Sequence, residues 1–214
     1  MSIQTVAGIA RSAMLVDLAI SVYSGRKQDK KTQGEVVAAK GSGSAKAASV
    51  YKSLFAECKE LDAIIKFQAK VRNEHYRLTL PWSDNGQRLL PTKALFDYQG
   101  VMTKNDQEFK ALVDKFLDKY DTLVAAAAFQ LGTLFDREEY PTRDQVARKF
   151  SFDTSFTPLP TAGDFRLDIE SSVQRELVEQ YEARAKAQLA QANQDSWNRL
   201  HTALTKMSDR LDRG

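Results

Sequence analysis

The spacing of apolar positions changes several times along this chain, and each change predicts a different element. Between residues 15 and 23, Val16, Leu18, Ile20 and Val22 alternate with Asp17, Ala19, Ser21 and Tyr23, the period of two that sets one face of a strand against a core. From Ser24 to Ser44 the apolar signal fades. Arg26, Lys27, Lys30, Lys31 and Lys40 there outnumber Asp29 and Glu35, and the segment closes in "GSGS". This composition predicts a flexible cationic connection with a short helix around "EVVAAK". Ser44 then offers an acceptor for unpaired first-turn amides. The helix it predicts runs to about residue 73, with Val50, Leu54, Cys58, Leu61 and Ile65 on its core face.

Next, "HYRLTLPWSDNGQRLLP" reads as two short extended arms about an Asn85-Gly86 turn, because those residues accept positive φ angles. Pro81 and Pro91 each lack an amide donor, which makes the hairpin an edge feature. Residues 92 to 135 give the strongest helical signal, a stripe of Phe109, Leu112, Phe116, Tyr120, Leu123, Leu131 and Leu134. Gly100 is its weak point, and "NDQE" at 105 to 108 is a cap for a restarted helix, so one bent helix and two helices are both open. A short helix is expected at about 142 to 149, opened by Pro141. Phe150, Phe152 and Phe156 then alternate as a second strand before "TPLPTAG".

From about 167 to 212 the sequence holds no proline or glycine and reads as helix throughout. At about 1.5 Å per residue such a helix reaches nearly 70 Å, against a radius of gyration near 17 Å for a compact chain of this length. A continuous helix would project, and a break near "ANQDS" would fold its end back. Trp197, Leu200, Leu204, Met207 and Leu211 follow at steps of 3, 4, 3 and 4, the seam spacing of a coiled coil. They are the candidate oligomer or partner interface, with an ordinary core stripe as the alternative. The expected fold is α+β, with long helices on a small, mostly antiparallel sheet. The expected division is a core at 1–166 and a C-terminal helical extension at 167–214.

Composition narrows the function more than it identifies it. The 214 residues are 43% hydrophobic and 28% charged, enough to fold without staples. A net charge of +3 rules out a strong overall field for nucleic acid, so any anion site is local. The single cysteine, Cys58, excludes an intrachain disulfide and fits a reducing cytoplasm. The opening residues lack a charged segment before their apolar ones, and Arg11 interrupts them, which argues against a signal peptide. The uncharged run at 122 to 135 is 14 residues long, short of the roughly 20 that cross a bilayer. A cytoplasmic protein with no membrane partner is expected.

No catalytic motif is present: neither a nucleophile elbow, nor a Walker A loop, nor a dinucleotide glycine pattern, nor a metalloprotease helix. No catalytic residue and no cofactor is therefore assigned. His75 and His201 lack the local spacing of a structural zinc site. Asp153, Asp164 and Asp168 could gather around magnesium, but helix capping accounts for the latter two, and no metal is assigned. The cationic segment is the candidate nucleic-acid site. Arg26, Lys27, Lys30 and Lys31 would follow a phosphate backbone, with Tyr23 stacking on a base. Solvated lysines in a surface loop are the alternative.

Four segments, "SGRK", "PWSDNGQRLLP", "LFDREEYP" and "PLPTAGDFRLDI", make residues 15 to about 170 resemble a domain-of-unknown-function family of bacteriophages and integrative mobile elements. The resemblance implies a bacterial host cell and a gene context with a MoxR-type AAA+ ATPase, a von Willebrand A-type partner and recombination proteins. It carries no catalytic residues. The expected function is a self-associating, non-enzymatic accessory of phage or mobile-element DNA metabolism, binding single- or double-stranded nucleic acid weakly. The alternative is an adaptor of the AAA+ ATPase.

Overall fold

The computed structural model describes residues 12–44, 46–83, 86–159 and 171–211, without side chains for 171–174. Its elements are β1 (Ala13–Ser21), β2 (Arg26–Gln28), α1 (Lys30–Ala39), β3 (Tyr51–Ser53), α2 (Lys59–Leu78), β4 (Leu80–Pro81), β5 (Arg88–Pro91), α3 (Leu95–Asp118), α4 (Tyr120–Leu131), α5 (Arg143–Ala147), β6 (Ser151–Pro158) and α6 (Ser171–Leu211). The fold is α+β, dominated by helix. Asn85, Asp164, Asp168 and the expected boundary at 166/167 lie outside the described residues. The chain forms two compact units, one of residues 1–19, 71–104 and 153–214, the other of 20–70 and 105–152.

The first unit holds a four-stranded sheet in the order β4-β5-β1-β6. β5 runs antiparallel to β1, from Ala13 opposite Pro91 to Val16 opposite Arg88, and antiparallel to β4. The expected hairpin therefore forms and joins the first strand. Leu15 and Val16, adjacent on β1, are both buried, so this strand is covered on both faces there. On one face Ala13, Leu15, Trp82 and Leu89 pack with Ala185, Leu189 and Ala192 of α6. Those three recur at steps of 4 and 3, one stripe of a helix, and the two alanines let the helix backbone approach the sheet closely. α6 continues unbroken through "ANQDS".

Polar groups close this unit where α2 ends. The last carbonyls of a helix lack intrahelical donors, and Arg199 of α6 supplies them. Its guanidinium donates to the Arg77, Tyr76 and Thr79 carbonyl oxygens at 2.8, 3.0 and 3.1 Å. Arg88 adds bonds to the Thr79 hydroxyl at 2.7 Å and the Thr79 carbonyl at 3.3 Å. Burial first, then the charge of Arg199, lowers the Arg88 guanidinium from its usual pKa. One turn earlier the buried His75 shares a 2.8 Å hydrogen bond between Nδ1 and the Tyr98 hydroxyl. Burial, more than the charge of Arg88, pushes His75 down to about 4.

The second unit is organised on Phe55. Its ring meets Tyr23, Phe116, Tyr120 and Tyr140 at centroid separations of 6.3, 5.9, 5.7 and 5.4 Å, mostly edge to face. Such pairs contribute about 0.5–1.5 kcal/mol each beyond area burial. The Tyr140 hydroxyl donates to the Leu54 carbonyl and the Tyr120 hydroxyl to that of Pro141, each at 2.7 Å. Two helical expectations are corrected here. The helix expected from Ser44 begins only at Lys59. Leu54 donates its amide to the Gly25 carbonyl at 2.7 Å, and Phe55 is held in the aromatic cluster, so residues 51–53 form a strand.

The long helix breaks at Lys119, not at Gly100 or Asn105. Arg143 Nε donates to the Leu117 carbonyl at 3.0 Å, and a side chain inserted into the backbone ladder is a recognised cause of a kink. The short helix after it is capped by Thr142, whose hydroxyl and backbone amide exchange bonds with Gln145. Pro141 thus precedes the cap.

Candidate nucleic-acid interface

The cationic segment is structured, not a flexible loop. Gly25, at a φ of +60°, turns the chain after β1, and a Cβ there would lie 2.8 Å from Leu61 Cδ2. Only glycine takes this backbone at so close an approach without strain. β2 then pairs antiparallel with β3, Arg26 opposite Ser53, Lys27 opposite Lys52, and Gln28 opposite Tyr51. Asp29 ends the ribbon and caps α1. Its carboxylate accepts from the Lys31 and Thr32 amides at 3.1 and 3.0 Å and from the Thr32 hydroxyl at 2.9 Å. The Thr32 amide, foremost among these donors, holds the Asp29 carboxyl below its usual pKa.

Directly opposed residues of an antiparallel pair share a face, and the face alternates along the strand. Lys27 and Lys52 therefore lie together, and both reach Glu139, at 3.8 and 2.6 Å. Lys52 also donates to the Leu134 carbonyl at 2.8 Å. This side of the ribbon borders a groove of about 590 Å³. Lys27, Lys30, Lys31 and Lys52 line it, and so do Asp29, Glu35, Asp136 and Glu139. Four positive and four negative side chains leave it without net charge. Lys27 and Lys52 are paired with Glu139 there, whereas Lys30 and Lys31, which border the same groove, form no ion pair among the described residues.

The other face of the ribbon carries Arg26 and Tyr51. Arg26 is exposed, and Tyr51 is 63% exposed. Lys30 and Lys31 open α1 a few residues along and are exposed as well. Neither they nor Arg26 form an ion pair among the described residues. Beyond the Asp29 cap the first turn has no acidic residue, and its two cations run against the positive end of the helix dipole. Exposed cations at a position that does not favour them are where function is sought.

Tyr23 is corrected. It is buried, its ring T-shaped to that of Phe55 and Lys149 placed 5.1 Å over its face. Burial also drives its phenol above the usual range. It offers no platform for a base. The exposed aromatic neighbour of the basic residues is Tyr51, which the sequence pattern places inside the helix expected from Ser44 to about residue 73.

The other candidates separate clearly. Trp197, Leu200, Leu204, Met207 and Leu211 are 48–79% exposed on α6, so they are not a core stripe of this chain. His75 is buried and His201 exposed. Cys58 is buried just before α2, and burial raises its thiol pKa. Among the described residues no group of three or more His, Cys, Asp or Glu side chains could hold a metal ion, and no helix is long and apolar enough to cross a membrane. No family model, curated protein or solved structure matches the chain.

Proposed function

We propose that this chain is a non-enzymatic accessory of phage or mobile-element DNA metabolism that binds single-stranded nucleic acid weakly across the end of the β2–β3 ribbon, from the face that carries Arg26 and Tyr51 to the start of α1. The observation that carries the reading is the exposed Tyr51 ring on the same ribbon face as Arg26. A free aromatic face stacks any base, and adjacent cations follow the backbone, which together give affinity without sequence preference. Arg26 to Lys31 spans at most about 17 Å of chain, short enough for Arg26, Lys30 and Lys31 to meet neighbouring phosphates of one strand. Lys27 contributes less, because Glu139 already faces it across the groove. The phage setting comes from the resemblance of residues 15 to about 170 alone.

Anisotropy of a fluorescein-labelled oligothymidylate tests the reading. Tyr51→Ala should weaken binding about tenfold, the lower part of the ~1–3 kcal/mol range for stacking one base, while Tyr51→Phe should keep it. Unchanged affinity in Tyr51→Ala and in the triple charge reversal of Arg26, Lys30 and Lys31 to Glu would end it. The adaptor reading, which has the exposed apolar residues of α6 in its favour, would then come first.

A further inference from the structure

We infer that residues 197–211 of α6 pair with the same segment of a second copy of this chain, forming a two-fold homodimer through a short helical seam. The inference is independent of nucleic-acid binding. Upstream, Ala185, Leu189 and Ala192 give α6 its buried face, and Arg199 ties it to the end of α2. From Leu200 to Leu211 every residue is exposed. The apolar positions do not fade there. Trp197, Leu200, Leu204, Met207 and Leu211 place a large side chain at each seam position of two heptads, and all five are exposed, with no cover among the described residues.

Two features favour an identical partner. The first is charge. The positions flanking the seam are Ser196, His201, Ala203, Ser208 and Arg210, so no lysine, aspartate or glutamate borders it, while Lys206 and Asp209 point elsewhere on the helix. Arg210, at the end of the segment, is the one fixed charge on the flanks, so like helices paired along this seam meet little repulsion and a strongly basic or acidic partner helix finds little complement. The second is area. Five large residues at these exposures expose at most roughly 600 Å² per chain, so complete burial in a dimer would remove about 1,200 Å², the lower bound of stable interfaces. A seam of only two heptads is below the usual three to four, so the dimer should form in a concentration-dependent way.

Sedimentation equilibrium of the full chain over a broad micromolar series is the test. The weight-average mass should rise from 24.0 kDa toward twice that value. The Trp197 emission should shift to the blue over the same series, while the buried Trp82 contributes a constant background. Leu204→Asp should raise the dissociation constant at least about tenfold. Thr205→Asp, which adds the same charge on the helix face away from the seam, should leave it unchanged. Since Leu204 is exposed, an unaltered circular dichroism melt will confirm that Leu204→Asp stays folded. A mass of 24.0 kDa at every concentration, or association equally strong in Leu204→Asp, overturns the proposal. So does equal weakening by both substitutions.

Discussion

Removing the Arg199 guanidinium should destabilise the first unit by about 2.5 kcal/mol. Three hydrogen bonds to carbonyls at 2.8, 3.0 and 3.1 Å are lost. The Arg199 side chain is 39% exposed, so water replaces part of each, and the low end of the usual net value applies, roughly 0.5 kcal/mol per bond. The cation at the carbonyl end of α2 adds about 0.3–1 kcal/mol. Loss of the 2.7 Å pair with Asp195, one turn earlier on α6, adds about 0.3–0.5 kcal/mol. Arg199→Lys keeps a charge but not the planar fork, so it should lose about half as much. Urea unfolding followed by tryptophan emission reads this unit directly, since Trp82 is buried in it. With a slope of about 2 kcal/mol/M, the midpoint should fall by about 1.2 M in Arg199→Ala and about half that in Arg199→Lys. Midpoints within about 0.2 M of wild type for both would refute the capping argument, and equal losses in the two would refute the role of the fork.

Gly25→Ala should cost about 2 kcal/mol, because it sets a side chain at positive φ against Leu61. The melting temperature should drop by about 4–8 °C, and a change under about 1 °C would show that the turn relaxes freely. His75 gives a pH dependence. Its folded pKa of about 4 lies below the unfolded value near 6.5, so the unfolded chain takes up the proton first. This group's contribution is complete above about pH 6.5 and is lost as pH falls toward 4, at up to about 1.4 kcal/mol per pH unit. The unfolding free energy of His75→Gln should show a shallower slope in that window, and identical slopes would contradict the buried neutral ring.

What the sequence made legible was whatever rests on local period. β1, the hairpin and α6 follow from alternation, turn residues and an unbroken helical run. The ribbon was not legible, because β2 and β3 are three residues each, some 25 positions apart, and joined by backbone bonds that leave no side-chain pattern. Tyr51 was missed for that reason. Tyr23 was misplaced because the alternation was carried past Ser21, where the strand ends and Gly25 turns the chain into the aromatic cluster. The break at Lys119 depends on Arg143, a partner distant in sequence, whereas Gly100, the expected weak point, stays helical with nothing near its absent side chain.

The salt dependence of binding tests the ribbon most directly. If Arg26, Lys30 and Lys31 each meet a phosphate, the logarithm of affinity for single-stranded DNA should fall with the logarithm of salt at a slope of about −2, from roughly −0.7 per phosphate. Replacing Lys30 and Lys31 by Gln should reduce that slope to about −0.7, while Lys27→Gln, whose amine faces Glu139, should change it little. A slope unaltered by the double substitution, or lost on removing Lys27 alone, would contradict the assignment of the phosphate contacts.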